Sequence, residues 1–244
     1  MNILEVRDIK KADILQGISF DVKEGEMVAI MGPSGSGKST LLYNVSGMDK
    51  PDCGKVMLGD TEMVHLSEDE KADIRLNRIG FVFQQMNVLQ TLNIFENIML
   101  PVKHAIKNKN ERKEYEKRAK LYMKDLKIED LAERKVSEVS GGQLQRACIC
   151  RSLVMNPEII FADEPTGALN QRSTEEVMEA FLDVNRKGTS ILLVTHDSRV
   201  ASRCDRILYI LDGELKGELA LGKWEKEDAS REKRVAGWLE DLGW

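Results

Sequence analysis

Residues Gly32-Pro33-Ser34-Gly35-Ser36-Gly37-Lys38-Ser39-Thr40 fit the pattern G-x-x-x-x-G-K-[ST]. Glycines let a backbone wrap phosphates without Cβ clashes. A helix starting at the end of such a turn aims unpaired N–H groups and its dipole at the loop. Lys38 is spaced to reach β/γ-phosphates and the Ser39 hydroxyl to ligate Mg²⁺. A second group follows the apolar run Ile159-Ile160-Phe161-Ala162, which ends in Asp163-Glu164. At the C-terminal edge of a parallel sheet, one carboxylate can hold Mg²⁺ through water while the next orients or deprotonates an attacking water. In isolation the pair reads equally well as two acids capping a turn. His196 follows the run ending Val194-Thr195, emerges on the same edge, and is placed to reach a γ-phosphate. Gln84, after Phe81-Val82-Phe83, offers a neutral ligand for Mg²⁺ or for the attacking water. Finally, Ser140-Gly141-Gly142-Gln143 is another glycine turn opening a helix, hence a second anion site. One nucleotide has no use for two such turns so far apart in sequence.

The elements around these residues suit their roles. Met27–Met31 reads as a buried strand feeding the first turn, and Thr40–Val45 as the helix leaving it. Residues 3–31 alternate in the β manner, with a turn at Glu24-Gly25, and Lys55–Gly59 adds another β-like piece. Ser67 with Glu70 three residues on predicts a capped helix through Arg75. Ile79–Phe83, Ile159–Ala162 and Ile191–Val194 are near-continuous apolar runs, the mark of parallel strands buried on both faces. Helices are expected over 143–155 and 173–184, and a last strand with a hairpin turn over 205–213.

Between Asn93 and Lys135 the character changes. Ile94, Ile98, Met99 and Val102 form one helical face, and a densely charged stretch follows, with Leu121, Met123, Leu126 and Ile128 as its apolar residues. Basic residues from Lys103 to Lys120 interleave with Glu111, Glu114 and Glu116, which favours a solvated helix face over a nucleic-acid contact. The net charge of −5 gives no global field for nucleic acid. No apolar run approaches the ~18–20 residues that span a bilayer, and no signal-peptide core is expected at the N-terminus. Any work at a membrane is therefore expected to go through a partner. Cys53, Cys148, Cys150 and Cys204 are scattered, so reduced thiols in a cytosolic setting are expected.

Phosphate binding alone leaves kinase, GTPase and motor readings open. With Val139-Ser140-Gly141-Gly142-Gln143 added to the phosphate loop, the chain resembles the nucleotide-binding subunits of ATP-binding cassette (ABC) transporters from about Ile3 to Leu219. The resemblance implies an α/β fold: a P-loop NTPase (RecA-like) core with an N-terminal antiparallel β subdomain and an inserted α-helical subdomain. It implies an ATPase domain over 1–222 with the insertion at about 86–155, followed by an amphipathic helical tail over 223–244. Two subunits would pair head to tail, each ATP lying between the phosphate loop of one and the signature turn of the other, which gives both anion sites a use. By the same resemblance Asp163 is the Mg²⁺ aspartate, Glu164 the catalytic base, Gln84 the Q-loop glutamine and His196 the switch histidine. A groove near Gln84 would receive a transmembrane permease, placing the protein on the cytoplasmic face of the plasma membrane.

Two departures stand out. Asp8–Asp13 holds no aromatic residue to stack on adenine, which predicts weaker or less base-selective nucleotide binding. Asn170 stands in the D-loop Gly167-Ala168-Leu169-Asn170 where Asp is common, keeping hydrogen bonding while dropping a charge. The Ile79–Gln85 and Asp163–Gly167 segments resemble the branch holding macrolide exporters, lipoprotein-release ATPases and the cell-division ATPase. The D-loop and the Trp-bearing tail resemble most its bacitracin and antimicrobial-peptide resistance members. A chromosome or DNA-repair ATPase would need long heptad arms, and a translation-associated ABC protein normally carries two cassettes; neither fits this chain. Trp238 and Trp244 in the tail favour a contact helix, being costly to leave wet.

Overall fold

The computed structural model describes residues 1–225, 228 and 230–244. In chain order it forms β1 (Asn2–Lys11), β2 (Leu15–Lys23), β3 (Met27–Met31), α1 (Lys38–Val45), β4 (Cys53–Leu58), β5 (Thr61–Glu62), α2 (Glu68–Asn77) and β6 (Ile79–Phe83). Then come α3 (Ile94–Ile98), α4 (Leu100–Ala105), α5 (Lys109–Asp125), α6 (Gly141–Leu153), β7 (Ile159–Asp163) and α7 (Gln171–Arg186). The chain finishes with β8 (Ser190–Val194), α8 (Ser198–Ala201), β9 (Arg206–Leu211), β10 (Glu214–Ala220) and α9 (Ser230–Asp241).

A six-stranded sheet runs in the order β10-β9-β3-β8-β7-β6, parallel except for the β9–β10 hairpin. A four-stranded antiparallel sheet, β2-β1-β4-β5, lies against one of its faces. Strand alternation sorts the apolar runs into two cores. Met27, Ala29, Met31, Ile160 and Ala162 face the helices, whereas Val28, Ile30, Ile159 and Phe161 face the antiparallel sheet and α1. A strand buried on both faces must be apolar at every position, and that is why these segments read as unbroken runs.

The insertion between β6 and β7 is helical, with Ile94, Ile98, Met99, Val102, Met123, Leu126 and Ile128 all buried. Leu121 differs: it is 62% exposed on the charged face of α5. Helix α2 starts at the expected capping box of Ser67 and Glu70. Cys148 and Cys150 are buried on α6 as free thiols, and burial pushes both pKa values up, so they pack rather than react.

The tail differs from expectation. Helix α9 turns its apolar face inward onto its own chain: Val235 and Leu239 are buried, and Trp238 lies edge-on to Tyr209 at 6.2 Å. Trp244 packs edge-on to the same ring at 5.9 Å while staying 45% exposed. Buried Arg231 donates to the carbonyls of Ser202, Cys204, Leu221, Gly222 and Lys223. The apolar surface that suggested a contact helix is thus largely spent within the chain.

Candidate functional site

The phosphate loop joins β3 to α1. Gly32 cannot be replaced without distortion, because a Cβ there would lie 2.0 Å from the Ile210 carbonyl oxygen. Gly37 is the N-cap of α1 at φ 96, with no side chain to cap the helix. The first α1 amides therefore lack intrahelical partners and are free for an anion. Lys38 is buried and donates to the Gly32 and Pro33 carbonyls at 2.8 Å each. Burial pulls its pKa down, partly offset by Glu164 and Asp163, and it forms no salt bridge among the described residues. The Ser36 hydroxyl is buried and has no hydrogen-bond partner among the described residues. A buried, carboxylate-free lysine beside an orphaned hydroxyl and uncapped amides fits the phosphates of a nucleotide.

The carboxylates gather on the same sheet edge. Ser39 Oγ donates to Asp163 Oδ1 at 2.8 Å, and Tyr43 Oη donates to Asp163 Oδ2 at 2.6 Å. Burial and the Asp163 bond push the Tyr43 pKa up to about 12. Among the described residues no three His, Cys, Asp or Glu side chains cluster to hold a metal. The Ser39–Asp163 pair instead suits Mg²⁺, which keeps several waters and takes most other ligands from substrate phosphates.

Glu164 adopts φ 46, a left-handed conformation that costs a non-glycine residue about 1–2 kcal/mol. Its amide donates to the Val194 carbonyl at 3.1 Å, which pins the turn to the end of β8. The side chain is 17% exposed, and Oε2 lies 3.0 Å from His196 Nδ1. With Nδ1 protonated, the ring donates to the carboxylate and leaves Nε2 free. Strain held at one carboxylate beside a histidine is characteristic of a functional turn.

Gln84 is not brought to this pair. It is exposed, and its amide nitrogen lies 2.9 Å from where a Cβ on Gly167 would sit, without a hydrogen bond to Ser39 or Asp163. The chain around it is nonetheless anchored from α6. Gln145 donates to the Phe83 carbonyl at 3.2 Å, and Arg151 donates to those of Met86 and Asn87 at 2.8 Å. Nearby, Phe81, Phe83, Arg75, Asn87, Pro101, Arg151 and Met155 border an open groove of about 290 Å³.

The signature turn opens α6 with a capping box: Gln143 N donates to Ser140 Oγ, and Ser140 N to Gln143 Oε1. Gly142 packs so closely on α7 that a Cβ would lie 2.8 Å from Ser173 Cβ. No hydrogen bond links this turn to the phosphate loop among the described residues. Asn170 caps α7 by accepting from Ser173 N at 2.9 Å, a task at which Asn and Asp are equals.

Two residues escaped the sequence reading. Tyr43 follows Ser39 by one helical turn, a spacing that could have revealed it. Ile14, 44% exposed, stands beside Gly37, whose Cβ would lie 3.3 Å from Ile14 Cγ2. Ile14 directly follows Asp8–Asp13, the stretch without an aromatic residue.

The sequence and fold agree with known proteins. Residues 15–167 match the ABC transporter family. The lipoprotein-releasing system ATP-binding protein LolD of Aquifex aeolicus is 42% identical over 221 residues, covering 89% of this chain and 97% of that protein. The bacitracin export ATP-binding protein BceA of Halalkalibacterium halodurans is 40% identical over 231 residues, covering 91% and 90%. Among solved structures, a dimer of the ATP-binding cassette MJ0796 of Methanocaldococcus jannaschii with ADP and Pi superposes with a TM-score of 0.79 at 38% identity, covering 91% of this chain and all of that one. The chain belongs to the ABC transporter family and has the mixed α/β fold of its ATPase cassettes.

Proposed function

We propose that this chain binds and hydrolyses ATP as one half of a head-to-tail homodimer that drives a transmembrane permease. The observation that carries the reading is a sheet edge that gathers Lys38, Ser39, Asp163, Glu164 and His196 in a chain whose signature turn makes no hydrogen bond to the phosphate loop among the described residues. Lys38, Ser36 and the α1 amides hold the phosphates, while residues 140–143 of a second copy close the site. Ser39 and Asp163, with Gln84 joining once nucleotide is present, would hold Mg²⁺, which would supply positive charge to stabilise the phosphates during transfer. Glu164 accepts a proton from the attacking water as the bond from γ-phosphorus to the β–γ bridging oxygen breaks, and ADP leaves with that electron pair. His196 orients Glu164 and presents its second ring nitrogen to the γ-phosphate.

In this reading residues 1–222 are the ATPase domain, 86–155 its helical insertion and 223–244 its tail. The groove bordered by Phe81, Phe83 and Arg151 receives the permease at the cytoplasmic face of the plasma membrane. Through the contacts of Gln145 and Arg151, a shift of the signature helix moves the chain next to Gln84. Similarity to BceA supports antimicrobial-peptide export and resistance as the work performed. The 42% identity to LolD of Aquifex aeolicus, against 40% to BceA, keeps a lipoprotein-release or related division complex as the second reading. A tagged pull-down from native membranes in mild detergent, read by mass spectrometry, separates them. A large permease with an extracellular domain is expected; a lipoprotein-release or division permease moves the protein to the second reading, and soluble partners alone overturn the transporter role.

A further inference from the structure

Helix α5 carries a feature that ATP hydrolysis does not use. At 3.6 residues per turn, Lys109, Lys113, Lys117, Lys120 and Lys124 fall within about 80° of arc, in a stripe about 23 Å long. All of them are exposed. Among the described residues none of them pairs with a carboxylate, whereas Lys103 of α4 lies 3.7 Å from Glu96. Glu111, Glu114 and Asp125 fall on the far flank of the helix, and of the acids on α5 Glu116 alone borders the stripe. Leu121 stands at the edge of the stripe, one turn from both Lys117 and Lys124, and is 62% exposed. The stripe lies on the side of α5 that faces α3 and α4. Lys109 and Lys113 share a groove with Phe95, Met99 and Lys103, and Lys120 Nζ is 5.9 Å from the centre of the Phe95 ring. Helix α4 also borders, through Pro101, the groove proposed above for the permease.

We propose that this lysine stripe is a lipid contact, seated on the anionic phospholipid headgroups beside the permease; this rests on the reading of the neighbouring groove as the permease site. The chain as a whole carries a charge of −5, so an anionic surface attracts it only where basic residues are gathered on one side. Lysine is a strongly hydrated point charge on a flexible stem. That suits a fluid surface whose charges move, whereas a fixed phosphate or carboxylate is held better by the planar fork of arginine. The stripe is also convex, the outer flank of a helix, and offers no walls to enclose an acidic protein segment. Each lysine near an anionic leaflet strengthens binding by about fivefold. An exposed leucine among the lysines adds an apolar side chain at the depth of the headgroup boundary.

The test is flotation of the full chain with vesicles of phosphatidylcholine alone or with about 30% phosphatidylglycerol, in about 0.1 M salt. The parent should bind the anionic vesicles at least about tenfold more tightly than the neutral ones and be released in about 1 M salt. Changing all the lysines of the stripe to Gln should erase that preference, and changing them to Arg should keep it, with ATP turnover in solution unaltered in both. Changing Lys10, Lys23, Lys50, Lys55 and Lys216 to Gln removes the same charge elsewhere and should weaken binding by less than about threefold. Equal binding of the parent to the two kinds of vesicle, or equal loss in the two Gln variants, overturns the proposal. So does a stripe variant that no longer co-purifies with the permease in detergent, since the occupant would then be protein. Preference of the parent for anionic vesicles, in a protein whose pull-down yields no permease, supports the lipid contact while overturning the permease reading.

Discussion

The two glycine turns open helices of similar importance and treat their backbone amides in opposite ways. The phosphate loop caps nothing: Gly37 offers α1 no side chain, and Lys38 stands by without a carboxylate partner. The signature turn satisfies itself through the reciprocal Ser140–Gln143 bonds, leaving the Gly141 and Gly142 amides without an intrahelical partner. No ionisable residue lies within Ser140–Gln143. A turn that must bind an anion alone needs unsatisfied donors and a charge. A turn that is stable while waiting and contributes a few donors later needs a cap. The pair teaches that one half of the site is built to bind and the other to complete.

Each prediction presses on that division. Glu164→Gln should give the largest effect, lowering ATP turnover by at least about a hundredfold while ATP-bound dimers persist in size-exclusion chromatography with light scattering. Substantial surviving hydrolysis would place the base elsewhere. Lys38→Ala should weaken fluorescent-nucleotide binding by about tenfold to a hundredfold, because a buried charged donor is lost. Gly142→Ala, which pushes α6 off Ser173, should leave that binding intact in the monomer and cut turnover by about a hundredfold. If Gly142→Ala instead abolished monomer binding, the two turns would not be separable. The smallest effect concerns the base. The parent should bind ATP and GTP alike, and Ile14→Tyr should tighten binding by about fivefold or more through stacking. Strong adenine preference in the parent, measured by titration, would contradict this.

Much of the site was legible because its chemistry is local. The glycines and Lys38 occupy one turn, Asp163 and Glu164 end one strand, and Ser140 with Gln143 spells out a capping box. Strands β3, β6, β7 and β8 showed themselves as apolar runs because both of their faces are buried. Strand β10 did not, since Glu214, Lys216 and Glu218 line an edge of the sheet where alternation is diluted by charge. Asn93 and Glu96 form a capping box with the same spacing as Ser67 and Glu70, so the start of α3 was legible in the same way. Tyr43 was hidden for a different reason: its partner lies 120 residues away, and a lone tyrosine near a helix end usually fills space. The tail helix was readable, but its destination was not, because an amphipathic face does not name the surface that covers it.

That destination has a practical meaning for anyone trimming this protein. Arg231 donates to backbone oxygens at Ser202 and Cys204, just beyond α8, and α8 follows the strand end that carries His196. Cutting the chain at residue 222 would strip the donor from those carbonyls and bare the Tyr209 ring in one step. A shortened version should then be judged as a destabilised cassette, and a loss of activity in it would say nothing about regulation.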